Sequence, residues 1–472
     1  MKVAFIQNLT EQLQGYMFLS SSLKTHGHVS EIFVDNFEKN IVDGLKRFSP
    51  DVLGFYCVTG NLNWGLSLMR EYKKYNPRCL TLLGGPHPTF FPEVVFEQGI
   101  DAISMGESEN AIVELCEKYN GTVESIYDLN NICILKNRVL HKNPLSPLIA
   151  NLDSLPTPDR SIYDKYRYFT NLETMSVMAS RGCPFNCNYC YSHKLKDMYK
   201  DLGKFVRFRS PLNIIAELKE LIKRYRRLRY IIFADSTLNT NNQWLLDFLT
   251  VYKNNINLPF TCYLRVDITT SEQIDALADA NCRTITFGIE AGSYRLRKEI
   301  LKRDMKDEVI INIAKKIKER KIILATGNMF GLPTETLDET LGLIHLNQRI
   351  KADIVSSTIF TPYPGTELER IAKEKGLLGE IDYNNLQSYY HHSVLKQKDI
   401  RMQERIQKIA VYFVWYPKLS FFWKFLVIRS PFCILHLMFL LSLAATVKKA
   451  FGYSFLGVIR YGALNFNIFS KN

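Results

Sequence analysis

The sequence predicts an α/β protein with three successive regions. Residues 1–145 alternate short apolar strands with helical patterns, which is typical of a doubly wound parallel sheet. From residue 171 the alternation resumes with longer helices, and its six strand candidates fit a partial (β/α)6 barrel. Residues 376–472 do not show this alternation of strands and helices, and they are predicted to be mainly helical. Residues 146–170 form the predicted linker, because 151–159 (NLDSLPTPD) contain two prolines.

The first region contains five predicted strands, separated by helical patterns such as residues 16–24. The strands are residues 3–6, 32–34, 52–55, 80–83 and 102–104. Two of them lead directly into glycine-bearing segments, 84–89 (GGPHPT) and 106–109 (GESE). In parallel sheets the ligand site lies beyond the carboxyl ends of the strands. We therefore expect both segments to approach a ligand with their backbone.

The second region contains six predicted strands, and its active site is expected at their carboxyl ends. The strands are residues 174–178, 230–234, 261–265, 284–289, 322–330 and 354–361. Ser210 and Pro211 predict the start of the first long helix, because serine suits the N-cap and proline the first turn.

The C-terminal region contains two strongly apolar stretches, 421–423 and 431–447. The second is flanked by Arg429, Lys448 and Lys449, and it is short for a membrane span of ~20 residues. We predict an interfacial membrane helix, with a helix covering the barrel or a dimer contact as alternatives. Residues 389–392 (YYHH) are predicted either to line the barrel mouth or to form a surface turn.

The composition excludes several classes of protein. A chain of 472 residues exceeds one ordinary core, and ten cysteines at this length are not a disulfide scaffold. The net charge of +13 suits nucleic acid or an anionic membrane, but the basic run 223–229 is predicted to be a solvated helix face, so no nucleic-acid partner is expected. The N-terminus lacks the apolar core of a signal peptide, which predicts a cytoplasmic protein, with contact to the inner face of the membrane.

Cys183, Cys187 and Cys190 stand in a C-x3-C-x2-C spacing within one short segment. Three thiolates so placed can bind three irons of a cubic [4Fe–4S] cluster and leave the fourth iron open. A zinc site or unrelated buried thiols are the alternatives. The nearest histidine, His193, follows too closely to complete a zinc tetrahedron with all three cysteines.

With Tyr189 before its last cysteine, this motif resembles that of the radical S-adenosylmethionine (radical SAM) enzymes. The resemblance implies that the open iron binds S-adenosylmethionine, and that one electron then releases a 5′-deoxyadenosyl radical. An external donor such as flavodoxin or ferredoxin would supply the electron. Tyr189 would either flank the adenine or simply pack.

The same resemblance implies a SAM site at the ends of the barrel strands. The residues at those ends are Asp235, Arg265, Asp267, Glu290, Gly331 and Pro362. Asp235 is expected at the methionyl amino group, Glu290 at the ribose hydroxyls and Pro362 near the adenine. The alternative for each acid is a cap on the following helix.

Residues 50–55, 84–89 and 106–109 resemble the Rossmann-like cobalamin-binding domain that precedes the barrel in one class of radical SAM enzymes. The implied cobalamin contacts are Thr59, Gly84, Gly85, His87, Thr89, Gly106 and Glu107. The D-x-H-x-x-G signature is absent, so no cobalt-binding histidine is expected from it. His87 is interpreted as a loop residue near the corrin.

The resemblance spans residues 2–368 and implies a cobalamin-dependent radical SAM methyltransferase. Its substrate would be an unactivated carbon of a small or lipid-like molecule. Oxidative cyclisation or rearrangement of a metabolite or tetrapyrrole is the first alternative. RNA methylthiolation would need a second tight cysteine group, which the sequence lacks. A cobalamin or iron–sulfur sensor is the non-enzyme alternative.

Overall fold

A computed structural model describes residues 1–381, 383 and 390–451, without the side chains of Val447 and Phe451. The chain divides into two compact units. The first is built mainly from Met1–Asn171 and Lys194–Arg207. The second contains Leu172–His193, Phe208–Ile381 and the described residues from 390 onward.

The first unit contains a seven-stranded sheet of order β2-β1-β3-β4-β5-β6-β7. Its strands are β1 (Lys2–Gln7), β2 (Val29–Val34), β3 (Val52–Tyr56), β4 (Leu80–Gly84), β5 (Ala102–Ser104), β6 (Ile132–Lys136) and β7 (Val139–Lys142). Its helices are α1 (Gln14–Thr25), α2 (Ile41–Phe48), α3 (Leu62–Tyr75), α4 (Pro86–Phe90), α5 (Glu109–Lys118) and α6 (Arg167–Thr170). The first five strands are parallel, which confirms the predicted doubly wound sheet.

Tyr16 fixes α1 to this sheet. Its ring is buried, and its hydroxyl donates to Ile6 O at 2.8 Å while it accepts from Tyr56 N at 2.6 Å. One hydroxyl thereby joins the helix to β1 and to the carboxyl end of β3. The buried hydroxyl has both a donor and an acceptor partner, so its burial carries no unsatisfied polar atom.

Strands β6 and β7 form an antiparallel hairpin that was not predicted from the sequence. The turn between them consists of Asn137 and Arg138, with φ angles of 54° and 61°. Two consecutive residues with positive φ make the tight turn that suits a twisted hairpin. Arg138 stands where the commonest sequences carry glycine, and this hid the turn. The sheet is therefore parallel in its first five strands and antiparallel in its last two.

The predicted linker, residues 146–170, packs with the first unit. Asp159 forms a salt bridge with Lys24 at 2.6 Å and accepts from the hydroxyl of Ser20 at 2.5 Å. Tyr163 is fully buried and donates to Gln7 Oε1 at 2.8 Å. These contacts extend the compact unit to Asn171, beyond the predicted domain boundary at residue 145.

The second unit contains six parallel strands in the order β15-β14-β13-β12-β11-β8. They are β8 (Thr174–Val177), β11 (Tyr230–Phe233), β12 (Phe260–Tyr263), β13 (Cys282–Glu290), β14 (Ile323–Phe330) and β15 (Ile354–Ile359). The remaining strands are the two-residue β9 (Ser180–Arg181) and β10 (Arg207–Phe208). The six strands match the predicted ones and confirm the partial barrel.

Helices alternate with these strands. They are α7 (Ser192–Met198), α8 (Pro211–Arg224), α9 (Asn242–Asn255), α10 (Ser271–Asp279), α11 (Asp307–Glu319), α12 (Leu337–Arg349) and α13 (Glu367–Glu374). As predicted, α8 begins with Ser210 as its N-cap, whose hydroxyl accepts from Asn213 N at 3.2 Å. A π-helical turn lies between β13 and α11, at Leu296–Ile300.

Three further helices confirm the helical C-terminal region. They are α14 (Ile400–Trp415), α15 (Ser420–Arg429) and α16 (Phe432–Phe451). Helix α14 packs on β15, where Gln407 Nε2 donates to Ser357 O at 2.7 Å. Among the described residues, one helical stretch, Phe432–Ala450, is long and apolar enough to cross a membrane by length and composition, and 18% of it is buried.

Candidate functional site

The cysteine segment of the second unit is a loop that follows β9. Gly182 has a φ angle of 88° just before Cys183, a conformation that favours glycine. All three cysteines are free thiols, and Cys187 is buried. Burial raises the pKa of the Cys190 thiol, and the nearby charges of Cys187 and Cys183 raise it further.

The donor set of this loop fits a cubic cluster. Two guanidinium groups contact the sulfur of Cys187: Arg265 Nη1 lies 3.4 Å away and Arg303 Nη1 lies 3.7 Å away. Such positive groups compensate the negative charge of thiolate ligands. Across residues 1–381, 383 and 390–451, no three His, Cys, Asp or Glu side chains are gathered around a single metal position. A cubic cluster makes a different demand, because its ligands bind separate irons.

Asn188 anchors the cysteine loop to the end of the π-helical turn and to the start of α13. Its backbone N donates to Leu301 O at 3.2 Å, and its side chain donates to Ile300 O at 2.8 Å. Its carbonyl accepts from Leu368 N at 2.8 Å, and the Tyr191 hydroxyl donates to Pro364 O. This role of Asn188 could not be predicted from the sequence, because a single asparagine between two cysteines forms no recognisable motif.

Glu290 lies at the end of β13 and faces the cysteine loop through Tyr189. The Tyr189 hydroxyl donates to Glu290 Oε1 at 3.2 Å, and it accepts from Arg303 Nη1 at 2.9 Å. The φ angle of Glu290 is 66°, and the β13–β14 register shifts between Gly288 and Glu290. This bulge turns the carboxylate back over its own strand.

The electrostatics of Glu290 reflect this setting. Burial raises its pKa, while the charge of Arg303 and the hydrogen bond from Tyr189 act in the opposite direction. Arg303 also donates to Gly288 O at 2.8 Å. It was missed from the sequence because it lies 13 residues beyond Glu290, in a connection without periodicity. The fully buried Arg297 fixes that connection by donating to Ala291 O and Met305 O, both at 2.8 Å.

Asp235 lies where predicted, at the end of β11, but its hydrogen bonds are with the protein. Its Oδ1 accepts from Ala179 N at 3.1 Å, and from both the backbone N and the hydroxyl of Ser180 at 2.5 Å. Burial raises its pKa to about 6. The carboxylate therefore fixes Ala179 and Ser180, which lead into the cysteine loop. Its predicted contact with the methionyl amino group stays a prediction.

The ends of β14 and β15 carry Gly331 and Pro362. Gly331 has a φ angle of 73°, and a Cβ there would lie 2.7 Å from Ile400 Cδ1. The loop is stabilised by Glu335, whose Oε2 accepts from Leu332 N at 2.9 Å and whose pKa burial raises to about 7. Pro362 is buried beside Tyr363, whose ring centroid lies 6.4 Å from that of Tyr191.

In the first unit, the structure gathers five predicted contacts after β3 and β4. The Thr59 hydroxyl and His87 Nδ1 are 3.2 Å apart, and burial lowers the pKa of His87. The Thr89 hydroxyl donates to Gly85 O at 2.8 Å. A Cβ on Gly84 would approach only Ser104 O, at 3.9 Å, which is an ordinary contact. The small residues and carboxyl-end position fit a cofactor approached by backbone.

Gly85 and Gly106 have packing reasons of their own. The φ angle of Gly85 is 96°, and a Cβ there would lie 2.9 Å from Cys57 O. The φ angle of Gly106 is 68°, and a Cβ there would lie 2.0 Å from the Tyr199 hydroxyl. At these two positions, therefore, the missing side chain makes room for other groups of this protein, namely Cys57 O and the Tyr199 hydroxyl.

Glu107 binds the segment that joins the cysteine loop to α8. Arg207 donates to both of its carboxylate oxygens, at 2.5 and 3.0 Å, and also to Ile149 O at 2.8 Å. The Tyr199 hydroxyl accepts from Glu107 N at 2.8 Å. In this structure Glu107 anchors residues 194–207 to the first unit, and its predicted cobalamin contact stays a prediction.

Of the predicted segment 389–392, Tyr389 lies outside the described residues. Lys408, a buried residue of α14, donates to Tyr390 O, and burial lowers its pKa to about 8. His391 is buried, with its ring centroid 5.2 Å from that of His436 on α16. These contacts join the segment to the C-terminal helices.

Comparison with known families gives two matches. Residues 177–346 match the radical SAM superfamily, and residues 14–116 match the B12-binding domain. The chain is 30% identical over 339 residues to an uncharacterized methyltransferase of Pyrococcus horikoshii, covering 71% of this chain and 72% of that one.

Two further proteins are similar over most of the chain. It is 24% identical over 372 residues to the anaerobic magnesium-protoporphyrin IX monomethyl ester cyclase of Rubrivivax gelatinosus, covering 74% of this chain and 64% of the cyclase. The structure of the radical SAM methyltransferase TsrM from Kitasatospora setae, with cobalamin and a [4Fe-4S] cluster bound, aligns with a TM-score of 0.64 at 15% identity. That alignment covers 79% of this chain and 75% of TsrM.

Proposed function

The chain belongs to the radical SAM superfamily and carries a B12-binding domain, and from this membership we propose that it methylates an unactivated carbon of a small or lipid-like substrate. Its cofactors are a [4Fe–4S] cluster, S-adenosylmethionine and cobalamin. When bound, they supply one-electron cleavage of S-adenosylmethionine to a 5′-deoxyadenosyl radical, together with a carrier for the transferred methyl group.

The contact between Tyr189 and Glu290 carries the proposal. Tyr189 immediately precedes Cys190, and its hydroxyl donates to a carboxylate at the end of β13. The cysteine loop and a strand-end acid are thereby joined within one unit. A protein that only stored a cluster would not need a half-buried acid, placed by a β-bulge, beside the cluster ligands. A site that binds a nucleoside beside the cluster does need such an acceptor for hydroxyl groups.

In the second unit, we assign a separate role to each residue of this site. Cys183, Cys187 and Cys190 hold the cluster, and Asn188 fixes their loop. Glu290 offers an acceptor to hydroxyl groups, and Arg303 offers a guanidinium to a carboxylate. Cys187 and Arg303 are buried, and the exclusion of water around them strengthens their charged hydrogen bonds.

In the first unit, the loops after β3, β4 and β5 are the proposed contacts of cobalamin. Thr59, Gly84, His87 and Thr89 lie together at the strand ends. His87 is half-buried, and its Nδ1 already faces the Thr59 hydroxyl. We propose that His87 contacts the corrin rather than the cobalt.

The experiment is an anaerobic incubation of the cluster- and cobalamin-loaded protein with S-adenosylmethionine and a strong reductant. Mass spectrometry then quantifies 5′-deoxyadenosine and S-adenosylhomocysteine. Methyl transfer predicts both products, because one S-adenosylmethionine gives the radical and another gives its methyl group. The Cys183→Ala, Cys187→Ala, Cys190→Ala variant is the control and should give neither product.

The other outcomes contradict the proposal in distinguishable ways. Deoxyadenosine without S-adenosylhomocysteine would favour radical cyclisation or rearrangement, the activity suggested by the similar cyclase. Neither product, from a protein with full cluster and bound cobalamin, would favour a sensor. Reduced flavodoxin or ferredoxin in place of the chemical reductant tests the proposed external electron donor.

We also propose that this cytoplasmic enzyme contacts the inner face of the membrane through α15. Phe421, Phe425 and Ile428 follow one another at helical spacing and are 84%, 53% and 63% exposed. Residues 405–472 contain nine lysines and arginines and no acidic residue. An exposed apolar stripe, in a segment whose charged residues are all basic, suits the interfacial region of an anionic bilayer: the stripe can be buried among the lipids and the basic residues can pair with the anionic headgroups.

Vesicle sedimentation tests this contact. The Phe421→Ser, Phe425→Ser, Ile428→Ser variant should lose binding to phosphatidylcholine vesicles containing phosphatidylglycerol, because its apolar stripe is gone. The matched control is Leu212→Ser, since Leu212 is 71% exposed on α8 and should be irrelevant to binding. Equal sedimentation of the triple variant and the unaltered protein would refute the membrane contact.

A further inference from the structure

Cys187 has an unusual environment for a cluster ligand. Its side chain is buried, and two arginines from different parts of the second unit direct N–H groups at its sulfur. The closer donor is Nη1 of Arg265, at 3.4 Å. The farther one, Arg303, makes its shorter hydrogen bonds with Tyr189 and Gly288. Arg265 therefore has the guanidinium closer to the sulfur of Cys187.

Arg265 is held in place on every side. Its Nε lies 2.8 and 3.1 Å from the two carboxylate oxygens of Asp267. Its Cζ lies 3.7 Å from the centre of the Phe185 ring, two residues before Cys187. Its backbone N donates to Asn239 Oδ1 at 3.0 Å, and its side chain is 7% exposed. The guanidinium thus clamps the loop through one ring and one sulfur.

A positively charged donor at a cluster sulfur changes the ease of reduction. Hydrogen bonds to the sulfurs and local charge are among the factors that set the reduction potentials of iron–sulfur clusters. Reduction adds one electron to the cluster, so the reduced form is the more negative. A fixed guanidinium in a site of low dielectric stabilises that form more than the oxidised form.

We propose that Arg265 is a positioning residue that raises the reduction potential of the cluster through Cys187, while Phe185 and Asp267 keep its guanidinium in place. The proposal rests on the cluster of the proposed function. The step concerned is transfer of one electron from an external low-potential donor to the cluster, with no bond made or broken. Arg265 thus makes the cluster easier to reduce by that donor.

The test is a potentiometric titration of the reconstituted protein with dithionite and mediators, followed by electron paramagnetic resonance of the reduced cluster. At the midpoint potential of the unaltered protein, the ratio of reduced to oxidised cluster is one. Arg265→Gln should lower this ratio about tenfold, which is 59 mV for a one-electron couple. Arg265→Lys keeps the charge but loses the planar fork, so it should lower the ratio less.

The matched control is Arg295→Gln. Arg295 belongs to the same unit but is 41% exposed and is bound to Glu339, so its loss should leave the midpoint unchanged. Iron content and circular dichroism are measured on every variant. Should Arg265→Gln take up no cluster, Arg265→Lys decides: a ratio lowered threefold or more supports the proposal, and an unchanged ratio overturns it.

An unchanged midpoint in a fully loaded Arg265→Gln protein would also overturn the proposal while leaving the cluster intact. Failure of the unaltered protein to take up a four-iron cluster would overturn the proposed function as well. The iron content of the unaltered protein therefore separates the two failures.

Discussion

The carboxylate of Glu290 occupies the space beside Gly288 in which any larger residue would place its side chain. A Cβ on Gly288 would lie 1.9 Å from Glu290 Oε1. The same oxygen accepts the hydrogen bond from Tyr189. Gly288 is therefore a condition for the position of the acid, and the acid is in turn joined to the cysteine loop.

Gly288→Ala should displace Glu290 and weaken binding of S-adenosylmethionine on the order of tenfold, because small misplacements of binding groups are costly. Equilibrium dialysis of the cluster-loaded protein measures the affinity. Gly342→Ala is the matched control, since a Cβ there would meet its nearest neighbours at 3.9 Å. Equal affinities in the two variants would show that the position of Glu290 does not matter.

Replacement of Cys183, Cys187 and Cys190 by alanine should abolish the broad absorbance at ~400 nm that an iron–sulfur cluster gives. Cysteine sulfurs bind the irons, so the variant should also lose its iron. Cys433→Ala is the control, because Cys433 is an exposed thiol on α16. Retention of the full absorbance by the triple variant would refute the assignment of these ligands.

Arg207→Gln should destabilise the first unit by about 3 kcal/mol, because it leaves the Glu107 carboxylate largely buried without its cation. The side chains of Arg207 and Glu107 are 4% and 19% exposed. The control is Lys253→Gln, which breaks a pair with Asp279 whose side chains are 55% and 53% exposed. That change should cost less than about 1 kcal/mol. Thermal denaturation compares the two, and equal losses would contradict a structural role for Glu107.

Glu335 should make stability depend on pH. Burial raises its pKa from 4.5 to about 7, so between these values the folded state binds more protons than the unfolded state. Its contribution is present below pH 4.5 and is lost as the pH rises through 7. The loss is about 3 kcal/mol at most, from the size of the shift.

Glu335→Gln should remove this part of the pH dependence, since an amide does not ionise. The measurement is the difference between thermal midpoints at pH 5 and pH 8. It should be smaller in Glu335→Gln than in the unaltered protein. Glu319→Gln changes an exposed glutamate on α11 and should leave the difference as it was. An unaltered difference in Glu335→Gln would show that other groups carry the dependence.

The sequence predicted the parallel strands of both sheets because buried parallel strands are continuous apolar runs. It placed all six barrel strands within a few residues, and Ala102–Ser104 without error. It missed the β6–β7 hairpin, whose Asn137-Arg138 turn lacks glycine. Turn conformation at such positions depends on the pairing of the flanking strands, which short-range composition does not report.

Within the site, the sequence identified the residues that carry a pattern and missed those defined by distance. The three cysteines and Glu290 stand in motifs, but Arg303 and Asn188 do not. Arg303 meets Tyr189 across 114 residues of chain. Contacts of this kind form only when the strands have assembled into the barrel, so no local sequence pattern predicts them. The roles predicted for Asp235 and Glu107 likewise could not include their protein partners.

The route of the chain has a practical consequence for anyone who wishes to dissect this protein. Residues 172–193 belong to the second unit, residues 194–207 return to the first, and the chain then goes back to the second. A single cut at residue 171 would leave Glu107 in one fragment and Arg207 in the other. Neither unit can therefore be expressed separately as one continuous stretch of the sequence. A separately expressed cobalamin-binding unit would have to contain residues 1–171 joined to residues 194–207 by a short linker.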